Sequence, residues 1–242
     1  MYDLTRFAQD DLDRCGEALK ELEAGATSME EVANRITRYL FDNTINPDNG
    51  QKACGLVRFY KTHPYEDLNG ELRGFAQGIL GHPPDPPDMK CLTLLATAGE
   101  KAEWNSRTAS AGHKAIPLPD EAFVSQIPMI SRLVSQFGLD VKAVIRADPS
   151  LLADLGQKRY NAFHVAEAVG SHYIPAQQDF VIPLGIRSVL RFGGMLTTGE
   201  LFAIIMFAKV QIPWETADLA KMLALKVKQA VQPFASGRIF AD

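Results

Sequence analysis

The sequence predicts an α/β protein of the α+β type, in which an antiparallel sheet is flanked by helices and preceded by a helical hairpin. Three observations predict this class. Apolar side chains recur at helical spacing through the first 46 residues. Two apolar runs, Ile186–Phe192 and Leu201–Val210, are separated by the turn residues Thr197–Glu200, as in a β-hairpin. A second region of helical spacing begins at Pro213, a residue that favours the first turn of a helix.

The composition is that of an ordinary globular protein. The chain has 242 residues, of which 46% are hydrophobic and 22% are charged, and these fractions allow a substantial core. The 25 basic and 29 acidic side chains give a formal net charge of −4. Because a basic field is needed to bind the phosphates of nucleic acids in general, we expect no nucleic-acid partner.

The cysteines and the apolar runs predict a cytoplasmic protein that does not enter a membrane. Cys15, Cys54 and Cys91 form no CxxC pair, which argues against a disulfide framework or a structural zinc site. Free thiols fit a reducing compartment. The first residues lack the pattern of a signal peptide. The longest apolar run, Leu201–Ala208, has eight residues, whereas a membrane helix needs about 20.

The predicted elements of the first half begin with the hairpin, which we take as a unit of residues 1–46. Its first helix carries a single apolar stripe, formed by Leu4, Phe7, Leu12, Cys15, Leu19 and Leu22. Ser28 and Glu31 have the spacing of a capping box at the start of the second helix. The second unit, residues 47–242, follows the turn Asn46–Gly50.

The second unit alternates strands, helices and loops. The predicted elements, in order, are a strand in Ala53–Tyr60, a helix in Leu68–Leu80, a proline loop at His82–Asp88, a strand in Met89–Ala98, a helix in Val124–Phe137, a strand in Phe163–Ala168 and a short helix in Ala176–Leu184. Gly99–Asp120 shows no period, and a long irregular stretch in a compact domain is often functional.

Several segments carry a family resemblance. Ile182–Leu190, with Gly185-Ile186-Arg187-Ser188, is followed by the hairpin and the closing helix. This order resembles the end of a GAF domain. Further segments resemble input domains found ahead of bacterial sensor histidine kinases; they are Leu56–His63, Ala96–Glu100, Trp104–Arg107, Gly112–Leu118 and Ile174–Gln177. The resemblance covers roughly residues 30–232.

The resemblance implies that residues 47–242 form a GAF-like sensory domain of bacterial signal transduction, as in two-component systems. It implies a non-catalytic module that binds a small molecule and transmits its state through the terminal helices. Because no kinase, cyclase or phosphatase module follows the closing helix, we expect the output to pass to a signalling partner or through the contacts of a homodimer.

The irregular stretch holds the first group of candidate ligand-binding residues. Arg107, His113 and Lys114 lie close together in sequence and could bind an anionic group through fixed donors. The alternative is that the two cations are solvated and that His113 caps a turn.

A second group of candidates is aromatic and polar. Trp104 could stack on a planar ligand while Asn105 fixes its orientation; alternatively, Trp104 pins the long loop to the core. In GAF-like folds the ligand lies over one face of the sheet, under loops of this kind. The resemblance therefore implies that Phe163, Tyr173 and Phe180 line the same cavity.

Other functions stay open at this point. Some GAF-like enzymes reduce methionine sulfoxide with cysteines, which would require Cys54 or Cys91 to react, although buried thiols are the simpler interpretation. A hydrolase has little support, because no GxSxG motif is present. A bilin is disfavoured, because phytochrome-like domains need a Cys-His pair. Haem bound through one histidine has no spacing signature, so the cofactor is not identified. A structural protein whose pocket is filled by side chains is the third possibility.

Overall fold

The computed structural model describes residues 1–84, 89–127, 131, 145 and 161–241. The predicted class is confirmed: the protein is α+β, with an antiparallel sheet flanked by helices and preceded by a helical hairpin. The strands are β1 (Tyr2–Asp3), β2 (Thr44–Ile45), β3 (Cys54–Pro64), β4 (Lys90–Gly99), β5 (Ala115–Leu118), β6 (Asn161–Val165), β7 (Ser188–Met195) and β8 (Leu201–Ala208). The helices are α1 (Gln9–Glu21), α2 (Met29–Asn43), α3 (Gly70–Leu80), α4 (Glu121–Ser125) and α5 (Trp214–Val231).

The main sheet has the strand order β5-β4-β3-β8-β7-β6, and every neighbouring pair is antiparallel. β3 is central and pairs with β4 on one side and with β8 on the other. The hairpin predicted near the end of the chain is the β7–β8 pair. None of the helices described by the structure is both long and apolar enough to cross a bilayer.

The side chains of β8 alternate between two hydrophobic layers. Phe202, Ile204 and Met206 belong to a cluster that includes residues of α1, α2 and α5, and we call this side of the sheet the helix face. Ala203 and Ile205 belong to a second cluster on the opposite side. We call that side the loop face, because the described segments that cover it are loops and short turns such as Gln177–Val181.

The helical hairpin packs directly on the sheet. Leu19 of α1 and Ile36 of α2 are fully buried in the cluster that also holds Val227 of α5. The hydroxyl of Ser28 accepts a hydrogen bond from the Glu31 amide at 3.2 Å, as the capping motif predicts. The division of the chain into residues 1–46 and 47–242 stays a prediction.

β4 contains a bulge at its centre. Phe59 pairs with Ala96, whereas Tyr60 pairs with Leu94, so Leu95 is an extra residue on the β4 side. Leu95 and Ala96 both belong to the helix-face cluster, whereas Leu94 belongs to the loop-face cluster.

The structure differs from the predicted elements in the irregular stretch. Residues 99–120 contain a 3₁₀ turn at Ala102–Asn105 and the edge strand β5. β5 has only four residues and contains Pro117, so its sequence shows no alternation of apolar and polar side chains that would predict a strand. Proline is tolerated here because β5 is an edge strand. Of the helix predicted over Val124–Phe137, only α4 overlaps the described part, and the remainder lies outside the described residues. Residues 85–88 of the proline loop also lie outside them.

Gly193 allows β7 and β8 to approach closely. A Cβ atom at this position would lie 2.2 Å from the carbonyl oxygen of Phe202 and 3.0 Å from the Cα of Ala203. Both neighbours are backbone atoms of the paired strand, so no side-chain rotation would relieve the contact.

Replacing Gly193 tests this packing. We expect Gly193→Ala to lower the free energy of unfolding by about 2–3 kcal/mol, because β7 and β8 must separate to admit the methyl group. Gly74→Ala is the matched control, because a Cβ there meets no atom within 4 Å and the residue lies inside α3. That control should be neutral or stabilising by up to about 1 kcal/mol. Urea denaturation followed by circular dichroism measures both, and equal losses would contradict the prediction.

Candidate functional site

A positively charged side chain stands on the loop face at the centre of the sheet. Arg58 of β3 donates from Nη1 to the Tyr60 hydroxyl at 3.2 Å and from Nη2 to the Ser110 hydroxyl at 3.1 Å. Its Nε is buried and has no hydrogen-bond partner, and the described residues supply no carboxylate that forms an ion pair with it. The guanidinium group is therefore held in place by two neutral oxygens.

A second polar atom without a partner lies beside Arg58. Thr97 of β4 is the cross-strand partner of Arg58, and only 2% of its surface is exposed. Its hydroxyl oxygen has no hydrogen-bond partner. Directly opposite residues of an antiparallel pair have Cβ atoms about 5 Å apart. Because buried polar groups are nearly always satisfied, two adjacent exceptions mark a place suited to a polar group from outside the chain.

A second arginine lies on the same face, on the far side of Ile205. Ile205 pairs with Arg58 in β3 and with Arg191 in β7. The strand spacing places the two arginine Cα atoms about 10 Å apart. The Arg191 guanidinium is buried and lies 4.5 Å from the centroid of the Phe163 ring. That ring contacts Tyr173 edge to face, with centroids 5.6 Å apart.

His113 completes this group from the loop before β5. Its φ of 61° is a left-handed backbone conformation that residues other than glycine rarely adopt. Backbone strain of this kind is concentrated at ligand-binding and active sites. Although much of the side chain reaches solvent, desolvation by the surrounding loop, and then the charge of Arg58, lower its pKa. The imidazole is therefore neutral at pH 7 and can both donate and accept a hydrogen bond.

We call this group the loop-face site. Its members are Arg58, Tyr60, Thr97, Ser110, His113, Phe163, Tyr173 and Arg191. Three of the residues predicted from the sequence, His113, Phe163 and Tyr173, belong to it.

Trp104 and Asn105 lie at another part of the loop face. The Trp104 ring packs against Phe180 at 5.6 Å, within the loop-face cluster. Asn105 accepts from the Gly99 amide at 3.1 Å and donates to the carbonyl oxygens of Gly99 and Lys101. These contacts hold the turn after β4, which corresponds to the alternative in which Trp104 pins the loop to the core.

Arg107 lies on the side of the helices, against the start of α2. It forms a two-pronged ion pair with Glu30, with Nε–Oε1 and Nη2–Oε2 distances of 2.9 Å and 3.0 Å. Its guanidinium group also lies 5.0 Å from the centroid of the Phe240 ring. We call Glu30, Arg107 and Phe240 the clamp.

The clamp holds the segment that returns after α5, residues 235–241. The Glu30 amide donates to the carbonyl oxygen of Ile239, and the Ala241 amide donates to a Glu30 carboxylate oxygen at 3.0 Å. The Phe240 ring also stacks on the buried His63, with centroids 5.3 Å apart. Burial and then the nearby charge of Lys61 lower the pKa of His63, so this ring stays neutral against the phenyl group.

Lys114 points in a third direction. Its ammonium group pairs with Glu71 of α3 and donates to the Thr108 carbonyl oxygen at 2.7 Å. The structure therefore does not bring Arg107, His113 and Lys114 together, since their side chains contact three separate neighbours.

The other five members of the loop-face site, Arg58, Tyr60, Thr97, Ser110 and Arg191, were not predicted from the sequence as ligand-binding residues. A signal for the two arginines was available, because each is the lone charged residue in an apolar strand-like run, Leu56–Tyr60 or Val189–Phe192. A charge on a buried strand is costly unless something pairs with it.

The cysteines lie away from the loop-face site. Cys54 and Cys91 are buried in clusters that do not belong to the loop face, and burial raises the pKa of each thiol to about 12. A thiol nucleophile must ionise, so this environment gives no support to redox catalysis. Within the described ranges, no three histidine, cysteine or acidic side chains are grouped to hold a metal ion.

Comparisons with known proteins give only distant structural matches. No family model and no curated protein matches the chain. A free methionine-R-sulfoxide reductase from Neisseria meningitidis, in complex with its substrate, is 12% identical, with 93% of this chain and 92% of that chain covered and a TM-score of 0.42. A phycocyanobilin-bound GAF domain from a cyanobacterial phytochrome is 10% identical, with 92% and 94% covered and a TM-score of 0.43.

A third match is the chromophore-binding domain of a bacteriophytochrome from R. palustris. It is 7% identical, with 94% of this chain and 63% of that chain covered and a TM-score of 0.40. At these identities and scores, the matches assign no ligand and no activity to the chain.

The clamp gives a stability prediction. We expect Glu30→Gln to lower the free energy of unfolding by about 3 kcal/mol, because it removes the carboxylate from a buried, two-pronged ion pair. Glu71→Gln is the control, since it breaks the more exposed pair with Lys114 and should cost less than about 1 kcal/mol. Urea denaturation of both variants makes the comparison. A Glu30→Gln loss as small as that of the control would show that the pair contributes little.

Proposed function

We propose that this chain is a non-catalytic, GAF-like regulatory domain that binds a small molecule at the loop-face site. The sequence resemblance supports the GAF-like assignment, and the convergence of basic, hydroxyl and aromatic side chains supports the ligand. As the resemblance implies, the setting that we propose is bacterial two-component signalling in the cytoplasm, where the domain acts on a signalling partner.

The observation that carries the proposal is that β3 contributes residues to both faces of the sheet, the loop-face site on one side and the helix-face cluster on the other. Arg58 belongs to the loop-face site, whereas its neighbours Val57 and Phe59 are fully buried in the helix-face cluster that includes α1, α2 and α5. A ligand that repositions Arg58 therefore acts on backbone that is also packed beneath the helices. It shifts the population of helix arrangements by its different affinity for each of them.

The solvent-exposed side of α5 is the surface through which the domain would contact a second copy and transmit the ligand-bound state. Trp214 and Met222 are 63% and 52% exposed on this helix, so α5 offers apolar side chains that a second copy would cover. The first turn of the helix contains Glu215, whereas its last turn contains Lys228. Two copies in antiparallel orientation place opposite charges together, so we propose a homodimer through α5.

The ligand is tested on protein purified without refolding. We expect native mass spectra to show a discrete mass that is absent from denaturing spectra, and an ultraviolet–visible spectrum to show whether that mass is a haem, a flavin or a bilin. Tyr173→Ala should lower the occupancy, because it removes the ring that contacts Phe163. Lys114→Ala is the control outside the site. Polypeptide mass alone, with no thermal stabilisation by any member of a metabolite panel, would contradict the proposal.

The dimer is tested by size-exclusion chromatography with light scattering. We expect twice the chain mass for the native sequence and a monomer for Trp214→Glu, because the charge replaces an apolar contact at the proposed interface. Ile182→Glu is the control, since Ile182 is 50% exposed but lies outside α5. A native protein that stays monomeric at high concentration would remove the dimer from the proposal.

A further inference from the structure

Among the residues that the structure describes, no acidic side chain forms an ion pair with Arg58. On the loop face the side chain is flanked by Leu56 and Tyr60 along β3 and by Ile205 across the strand pair. Its two hydrogen bonds go to neutral hydroxyl groups. A guanidinium group that is partly removed from water without an anionic partner costs free energy, and an anion bound beside it would recover that cost.

We infer that the loop-face site binds a small organic anion, whose carboxylate or phosphate oxygens accept hydrogen bonds from Arg58 Nε and the Thr97 hydroxyl. This inference rests on the proposed function and names the chemical class of its ligand. Both donors are buried and lack partners, and they face each other across paired strands. The bonds to Tyr60 and Ser110 fix the guanidinium plane in advance, so little conformational freedom is lost on binding.

The other members of the site define the rest of the ligand. Phe163 pairs with Arg191 one strand further from Arg58, and its ring and that of Tyr173 present aromatic surface beside Arg191. The strand spacing places the Cα of Arg191 about 10 Å and that of Phe163 about 15 Å from the Cα of Arg58. A planar ring attached to the anionic group would extend from Arg58 toward this surface. His113 adds a neutral imidazole near Arg58, which can donate a hydrogen bond to a further oxygen.

The test uses benzoate, inorganic phosphate and neutral benzyl alcohol as probes of the full chain. With ¹⁵N-labelled arginine, we expect benzoate to shift the Arg58 Nε–H resonance and to slow its exchange with water. Calorimetry should show benzoate binding at least about tenfold more tightly than benzyl alcohol. If inorganic phosphate shifts the Arg58 Nε–H resonance more than benzoate does and binds more tightly, the anionic group of the ligand is a phosphate rather than a carboxylate.

Variants separate the anion contact from binding in general. Thr97→Val keeps the shape of the side chain and removes the hydroxyl, so we expect benzoate affinity to fall about tenfold, while Arg58→Met should abolish the preference for anions. Lys114→Met removes an equal charge outside the site and should change neither. If Arg58→Met does not fold, the Nε–H resonance of the native chain still decides the question.

Two outcomes would overturn the inference in different ways. If benzyl alcohol binds as well as benzoate and the Arg58 Nε–H resonance does not respond, the ligand is not an anion held by Arg58, although the proposed small-molecule function stands. If neither these probes nor any co-purified molecule binds, both the inference and the proposed function fail.

Discussion

The pairing of β3 with β8 is the constraint on which the rest of the structure depends. Each strand is covered on both sides, so each must alternate between two apolar layers with period two. A shift of register by one residue would bring Arg58 into the helix face and Phe59 onto the loop face. The same pairing that builds the core therefore also determines where the charged side chain stands.

The sequence predicted the elements whose residues follow a local pattern, such as helical spacing or a turn between two apolar runs. Helical spacing and the Ser28 cap located the hairpin of helices, and the turn between two apolar runs located β7 and β8. β5 was missed because four residues with a proline carry no periodic signal. Local propensity cannot identify a short edge strand that its neighbour β4 holds in place.

The loop-face site was harder to predict, because strand pairing brings its members together from distant parts of the chain. Arg58, Thr97 and Arg191 meet only through the registers of three strand pairs. Adjacency in sequence suggested instead that Arg107, His113 and Lys114 act together. In the structure Arg107 and Lys114 form ion pairs with Glu30 and Glu71, whereas His113 lies near Arg58.

The bulge in β4 has a consequence for how the chain tolerates insertions and deletions. Leu94 and Thr97 are three positions apart and would face opposite sides of a regular strand, yet the extra residue Leu95 lets both reach the loop face. Loss of either Leu95 or Ala96, which both belong to the helix-face cluster, would restore regular alternation and leave both faces as they are. Loss of any other single residue between Lys90 and Gly99 would invert one end of the strand unless the bulge moved. The site therefore tolerates a change of length in this strand only at the bulge, and it depends on chain length as well as on residue identity.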